Sequence, residues 1–178
     1  MASSAVDLWE TLAEDAAAES ELWRQALLPD GERDRSAVFS PLAEERFRLG
    51  IETIYEAYLV HFGRPRLFAP ADADTALLLG DYLYAHGLVR IAAAGDTTAV
   101  GDLAELISIC GQLRAEGLPG DGAAWAATAT LLGRGTLAEP REALRRQSDP
   151  RPLDRAARAA AGDGAVDDAL AAHAGRVG

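Results

Sequence analysis

The chain has 178 residues, 49% of them apolar, enough for one domain with a sizeable core and too few for two full domains. Its balance is acidic, with 28 Asp and Glu against 17 basic residues and a formal net charge of −11, which opposes nucleic acid binding because that needs clustered cations. All 17 basic residues are Arg, so a Schiff-base lysine or a P-loop lysine is excluded.

Cys110 is the single cysteine, which excludes an internal disulfide and a thiolate metal cage. His61, His86 and His173 lie far apart without ligand-like spacing. The acidic N-terminus does not read as a secretory signal, and no apolar run approaches the ~20 residues of a membrane span. A soluble, cytoplasmic protein with no transmembrane segment is expected.

Leu8, Trp9, Leu12, Ala16, Trp23 and Leu27 recur at helical spacing and predict one amphipathic helix ending near Pro29. After the charged turn "PDGERDRS", a second helix is expected from Pro41 through Phe47, Ile51, Ile54 and Tyr58 towards Gly63. "GRPRLFAPAD" connects it to a third helix, "TALLLGDYLYAHGLVRIAA", and "AAGDTT" separates that from a fourth, about Thr98 to Glu116. In the fourth, Val100, Leu103, Leu106, Ile107, Cys110 and Leu113 share one side. "GLPGDG" breaks the pattern before a helix around Trp125 to Leu132; this loop is shaped to cradle an anion, but Asp121 opposes one. In "GDGAVDD", Asp163, Asp167 and Asp168 read as a turn and helix cap.

No segment shows the alternation of a strand, so the expected class is all-α, a single helical bundle. Residues 1–135 form the expected bundle domain. Residues 136–178 are rich in Ala and Arg and poor in large apolar side chains, so a loosely packed or partly disordered helical tail is expected. Residues 1–32 hold eight acids and one Arg, whereas residues 134–158 hold seven Arg and four acids, so the first helix is expected to present a solvated acidic face, with pairing to a basic partner or to that segment as the alternative.

On a helical wheel, Leu77, Tyr84, Ala85, Leu88, Ile91 and Ala92 share an arc with Asp81 near its middle, while His86 and Arg90 lie opposite. A carboxylate on a packing face must be paired or hydrogen-bonded. Gly80 and Asp81 are therefore expected as a buried structural pair, glycine for close helix packing and aspartate for a buried polar network.

"ALLLGDYLYAHGL" resembles the "AVLxGDxLLAxAL" helix of the trans-isoprenyl diphosphate synthases, the polyprenyl synthetase family. "FGRPRLF" sets Pro65 sixteen residues ahead of Asp81, like the family's "RRGxPT" loop. "IETIYEAYLVH" resembles its "xExxHxASLxHDD" helix, and "LISICGQLRAEG" the helix carrying "GGQxxD"; the likeness spans residues 42–116. The family's fold is a helical bundle, and its catalysis uses two aspartate-rich motifs that bind Mg²⁺ around an allylic diphosphate. This chain has no DDxxD, has Ala115 where the second motif needs aspartate, and lacks the family's diphosphate-binding lysines. Glu52 and Glu56, one helical turn apart, are the weak candidates left for a metal, and a solvated face is their ordinary reading.

The resemblance thus implies a non-catalytic small subunit of a heteromeric polyprenyl diphosphate synthase. It would have no catalytic residue and no cofactor of its own; Mg²⁺ would belong to the catalytic partner. Tyr55, Tyr82 and Tyr84 are candidate interface contacts, with ordinary core packing as the equal alternative. A homodimer is left open. The other reading is an unrelated helical interaction, ligand- or anion-binding protein, with His61, Arg64, Arg66 and Gln112 as the candidate diphosphate or anion contacts.

Overall fold

The structure is a computed structural model that describes residues 7–177. Within them lie helices α1 (Leu8–Glu19), α2 (Glu21–Ala26), α3 (Arg48–Phe62), α4 (Ala73–Ala93), α5 (Thr97–Glu116), α6 (Asp121–Thr130), α7 (Ala138–Gln147), α8 (Arg151–Ala161) and α9 (Asp163–Val177). Among the described residues, β-type pairing is limited to one antiparallel bridge between Leu27 and Phe68. The protein is an all-α bundle.

The first helix is interrupted at Ser20, whose extended backbone ends α1 while its hydroxyl accepts from Leu22 N–H and caps α2. The apolar period runs through Ser20 unbroken, which is why spacing alone joins the two. The second helix starts later than its period implies. Pro41 sits in a short 3₁₀ turn, and α3 begins only at Arg48. Asp72 and Asp96 cap α4 and α5 by accepting from Thr75 and Ala99. These caps stand where the Asp-containing loops ended the apolar pattern.

α3 and α4 form the closest pair, and glycine makes this approach possible. A Cβ on Gly50 would collide with Ile91, and one on Gly87 with Ile54. The main core gathers around α3, with Phe39 stacked on Trp125 (5.5 Å) and Tyr55 edge-on to Trp125 (5.0 Å). Trp9, Leu12, Trp23, Leu67, Phe68, Leu79 and Leu83 form a second cluster on the other side of α3 and α4.

The segment expected to be loose is built into the fold. Leu144, Leu153, Ala157, Val166, Ala169 and His173 are all buried, and α8 packs tightly on α6. Large side chains are indeed scarce there, but they are not needed. Ala124, Ala126, Ala127 and Ala129 of α6 and Ala157 of α8 are buried in one core, where small side chains permit a close approach of the two helices. The Arg-rich segment does not pair with the first helix. Arg141 reaches Asp102 at 2.8 Å and Arg158 reaches Asp167 at 2.9 Å, while Glu10 and Asp15 of α1 take Arg35 and Arg90.

Gly87 and Gly111 separate close approach from mere helix propensity. Gly87→Leu is expected to lower unfolding free energy by about 2–3 kcal/mol through overpacking. Gly111→Ala, with open space around its Cβ, is expected to raise it by up to about 1 kcal/mol. Urea denaturation of the two variants checks both signs.

Candidate functional site

Arg66, Glu52 and Glu56 form a charged centre inside the bundle, with side chains 0%, 1% and 0% exposed. The Arg66 guanidinium donates to Glu52 Oε2 at 2.6 Å, to Glu56 Oε2 at 2.9 Å and to the Ser36 carbonyl at 3.0 Å. It lies over the Trp9 ring at 4.6 Å and the Tyr55 ring at 5.0 Å. Glu56 Oε1 accepts the backbone N–H groups of Arg66 and Leu67, both at 2.8 Å. Glu52 Oε1 is buried without a partner.

This corrects the reading of Glu52 and Glu56 as a solvated pair or weak metal site. Their four-residue spacing aims both at one interior cation. The donor set does not fit Mg²⁺, which needs several free oxygens in octahedral array, whereas three of these four oxygens already accept hydrogen bonds. Among the described residues, no group of three or more His, Cys, Asp or Glu side chains is arranged to hold a metal ion.

The buried face of α4 is turned from the wheel expectation, although Ile91 stays inward and Tyr84 and Leu88 pack partly on the core. Leu79, Gly80, Leu83, Gly87 and Ile91 point inward. Asp81 points out with 67% of its side chain exposed, so it belongs to no buried network. Leu77 and Leu78 are each 56% exposed and Val89 is 64% exposed, and Ala85 and Ala92 lie on the same side. Arg90, placed opposite by the wheel, packs inward and donates to Thr53 and Asp15. The arc was assigned by its large apolar side chains, but the helix contact is made by its glycines.

His61 covers Gly80, where a Cβ would collide with its ring, stacks on Tyr84 at 5.2 Å and lies 3.4 Å from Asp81. Burial lowers its pKa against the opposing pull of Asp81. Tyr55 is wholly buried and cannot serve as a surface contact. Tyr82 stacks on Trp23 at 5.6 Å, and Tyr82 and Tyr84 are half-buried within their own chain. The four candidate anion contacts are not brought together. His61 faces α4, Gln112 is on the surface bonded to Glu116, and Arg66 is neutralised inside. Only Arg64 and Arg66 share a groove, where Arg64 donates to the Gly175 carbonyl and Arg176 pairs with Asp34 at 2.6 Å.

A second polar network, invisible from spacing, joins α3, α5, α6 and α9. His173 Nε2 is 3.2 Å from Asp121 Oδ2, and His173 Nδ1 is 2.9 Å from the Tyr55 hydroxyl. Tyr58 O–H and Arg114 also donate to Asp121 Oδ2, and Arg114 Nε donates to the Tyr58 oxygen at 2.8 Å. With Asp121 as acceptor, the network assigns the proton of His173 to Nε2 and makes Nδ1 the acceptor for Tyr55. Burial pulls the Asp121 pKa upward, but hydrogen bonds from His173 and Tyr58 and the Arg114 charge outweigh it and hold the carboxyl well below the usual range. Burial pushes both tyrosines up. Both imidazole nitrogens are engaged, so His173 presents no lone pair to a substrate; it orients Asp121.

Asp121 and His173 line a cavity of about 430 Å³ between the starts of α6 and α8 and the last turns of α9. The rest of its lining is Leu170, Val177, Pro150, the charged Arg151 and Asp154, and small residues. Sequence reasoning met Asp121 only as an obstacle in "GLPGDG" and His173 as an isolated histidine. They are 52 residues apart, and no local pattern links them. The buried Asp102–Arg141 pair was missed for the same reason.

The fold and site thus define a helical bundle with aliphatic side chains exposed along α4 and a cavity lined by Asp121 and His173. No family model matches the chain, and no match was found among curated proteins or solved structures. The resemblance to isoprenyl diphosphate synthases therefore rests on the quoted residues alone.

The two glutamates should respond differently to amide substitution. Glu56→Gln turns an amide N–H₂ against Arg66 or against two backbone donors, and is expected to cost about 3 kcal/mol. Glu52→Gln keeps an oxygen on Arg66 and turns its amide nitrogen to the side where Oε1 meets no donor, so it is expected to cost less, about 1–2 kcal/mol. Chemical denaturation at neutral pH reads both.

Asp34 supplies an acid-limb test. Burial raises its pKa, but hydrogen bonds from Ser36 and Arg176 prevail and hold it at about 2, below its ordinary 3.8. A depressed pKa means its contribution is full above about pH 4 and is lost as the pH falls through about 2. The stability gap between wild type and Asp34→Asn should therefore be flat at neutral pH and close in acid. With a side chain 45% exposed, that gap is expected to stay under about 1 kcal/mol.

Proposed function

We propose that this chain is a non-catalytic helical subunit that acts by docking the outward face of α4 on a larger partner. The observation that carries this reading is the exposure of Leu77, Leu78 and Val89 on one side of α4, at 56%, 56% and 64%. An aliphatic stripe of that kind is uncommon on a surface that stays in water. Asp81 lies within it and asks for one basic residue on an otherwise apolar partner surface. The net charge of −11 favours such a partner over longer range.

The partner suggested by the resemblance is the catalytic subunit of a polyprenyl diphosphate synthase, which would carry the aspartates and the Mg²⁺. Two features support an accessory role. The motif helix "LLGDYLYA" is retained while its outer face stays uncovered, and the two acids nearest a metal-binding position are consumed by Arg66. Work in the cytoplasm, beside isoprenoid elongation, follows from the same proposal. Among the described residues, no helix is long and apolar enough to cross a membrane.

The test is affinity capture from the native extract, followed by prenyltransferase assay of the eluate with an allylic diphosphate, isopentenyl diphosphate and Mg²⁺. Wild type is expected to bring down activity that the purified chain lacks. Leu78→Glu with Val89→Glu is expected to reduce the captured activity about tenfold or more while leaving the melting temperature within a few degrees. An eluate without prenyltransferase activity overturns the partner. Undiminished capture by the double variant, or a stripe covered by a second copy in sedimentation, overturns the docking assignment.

A further inference from the structure

The cavity between α6, α8 and α9 plays no part in the docking face and carries its own chemistry. Asp121 Oδ2 already accepts from Tyr58, Arg114 and His173. Oδ1 accepts from none of the described residues and keeps contact with solvent, and Asp121 lines the cavity. A carboxylate fixed by three donors on one oxygen cannot turn away. Its other oxygen is left as an acceptor without a donor among the described residues.

The surroundings select the sign of a ligand. Two helix N-termini border the space, which by itself favours an anion, but each has an acid in its first turn, Asp121 in α6 and Asp154 in α8. Arg151 also lines the cavity, and its guanidinium is occupied by both oxygens of Asp149 at 2.8 and 3.0 Å. Asp154 pairs with Arg158 through one oxygen at 2.9 Å. An anion would meet two carboxylates and, beside them, an exposed Arg151 guanidinium already paired with Asp149. A cation meets a ready acceptor, with a second carboxylate on the same wall. Leu170, Val177 and Pro150 complete the lining and suit a carbon body.

Glycine keeps this space open. Gly120 has φ +123°, a backbone that other residues rarely adopt, and a Cβ there would press on Leu144 of the core and stand 3.4 Å from Pro150 of the lining. A Cβ on Gly122 would stand 3.0 Å from Leu170 and 3.2 Å from the His173 ring, so the missing side chain lets both line the cavity.

We infer that this cavity binds a small organic cation, an ammonium on an alkyl or aryl body. The ammonium donates to Asp121 Oδ1, and its carbon body rests against Leu170 and Val177. The site is independent of the α4 docking face, and His173 acts in it as a positioning residue that steadies Asp121.

Amide chemical-shift titration of the full chain tests this with benzylammonium, using benzyl alcohol and benzoate as probes of nearly the same body. Saturable shifts at Gly120, Gly122, Ala123 and Ala174 with benzylammonium are expected, with benzyl alcohol at least about tenfold weaker and benzoate inert. Asp121→Asn should lose the preference for the ammonium. Because that change also disturbs the Tyr58–His173 network, Ala174→Trp provides a second variant. Residue 174 is exposed at the cavity rim, so the indole should block binding without altering the melting temperature. Equal binding of the alcohol, stronger binding of benzoate, shifts that survive Ala174→Trp, or no saturation with benzylammonium up to about 10 mM (about 2.7 kcal/mol of binding free energy at 25 °C) each overturns the assignment.

Discussion

Arg66 is a guanidinium with no contact with water, and several pieces of the chain take their positions from how its charge is met. Two carboxylates from successive turns of α3 fix its direction, the Ser36 carbonyl brings in the loop before α3, and Trp9 and Tyr55 bracket its plane. The loop after α3 is fastened by the same group, since Glu56 also accepts the N–H groups of Arg66 and Leu67. Desolvating three charges is expensive, and such a cluster specifies one arrangement more than it adds stability. Slipping α3 by one residue would bury two carboxylates without a cation. The register of α3 against α1 is therefore set by charge as well as by shape.

Small residues decide the remaining geometry. Gly50 and Gly87 let α3 and α4 meet, and alanines let α6 and α8 do the same. The outcome is a bundle whose tightest contacts have few large side chains. Three aliphatic residues of α4, Leu77, Leu78 and Val89, are left facing outward. The surface that invites a partner and the surface that holds the bundle together are opposite sides of one helix.

This explains which parts of the structure were legible in the sequence. Helix identity was, because Leu103, Leu106, Cys110 and Leu113 repeat at helical period and Asp72 and Asp96 stand at the cap positions. The face of α4 was not, because a wheel weighted by bulk discards glycine, the residue that makes the contact. The packed tail was not, because alanine counts little in hydrophobicity yet permits the closest approach. The candidate site was legible only as isolated letters. Glu52 and Glu56 were visible as a pair, but their cation lies ten residues beyond Glu56 across a turn. Asp121 and His173 meet only through tertiary structure, and each looked ordinary alone.

The last helix has a consequence for how the molecule is made. Tyr55 finds its partner on α9 across 118 residues, Arg64 finds the Gly175 carbonyl across 111, and Asp34 is bonded from Arg176 across 142. None of these can form while α9 is still untranslated. Until then, the phenol of Tyr55, Asp34 and the end of α3 must either stay hydrated or wait inside an incomplete core. Closing loops of that length is slow compared with forming the local α3–α4 pair. A nascent chain would therefore hold an assembled α3–α5 layer with one unfinished flank, and completion of the bundle would coincide with the arrival of α9.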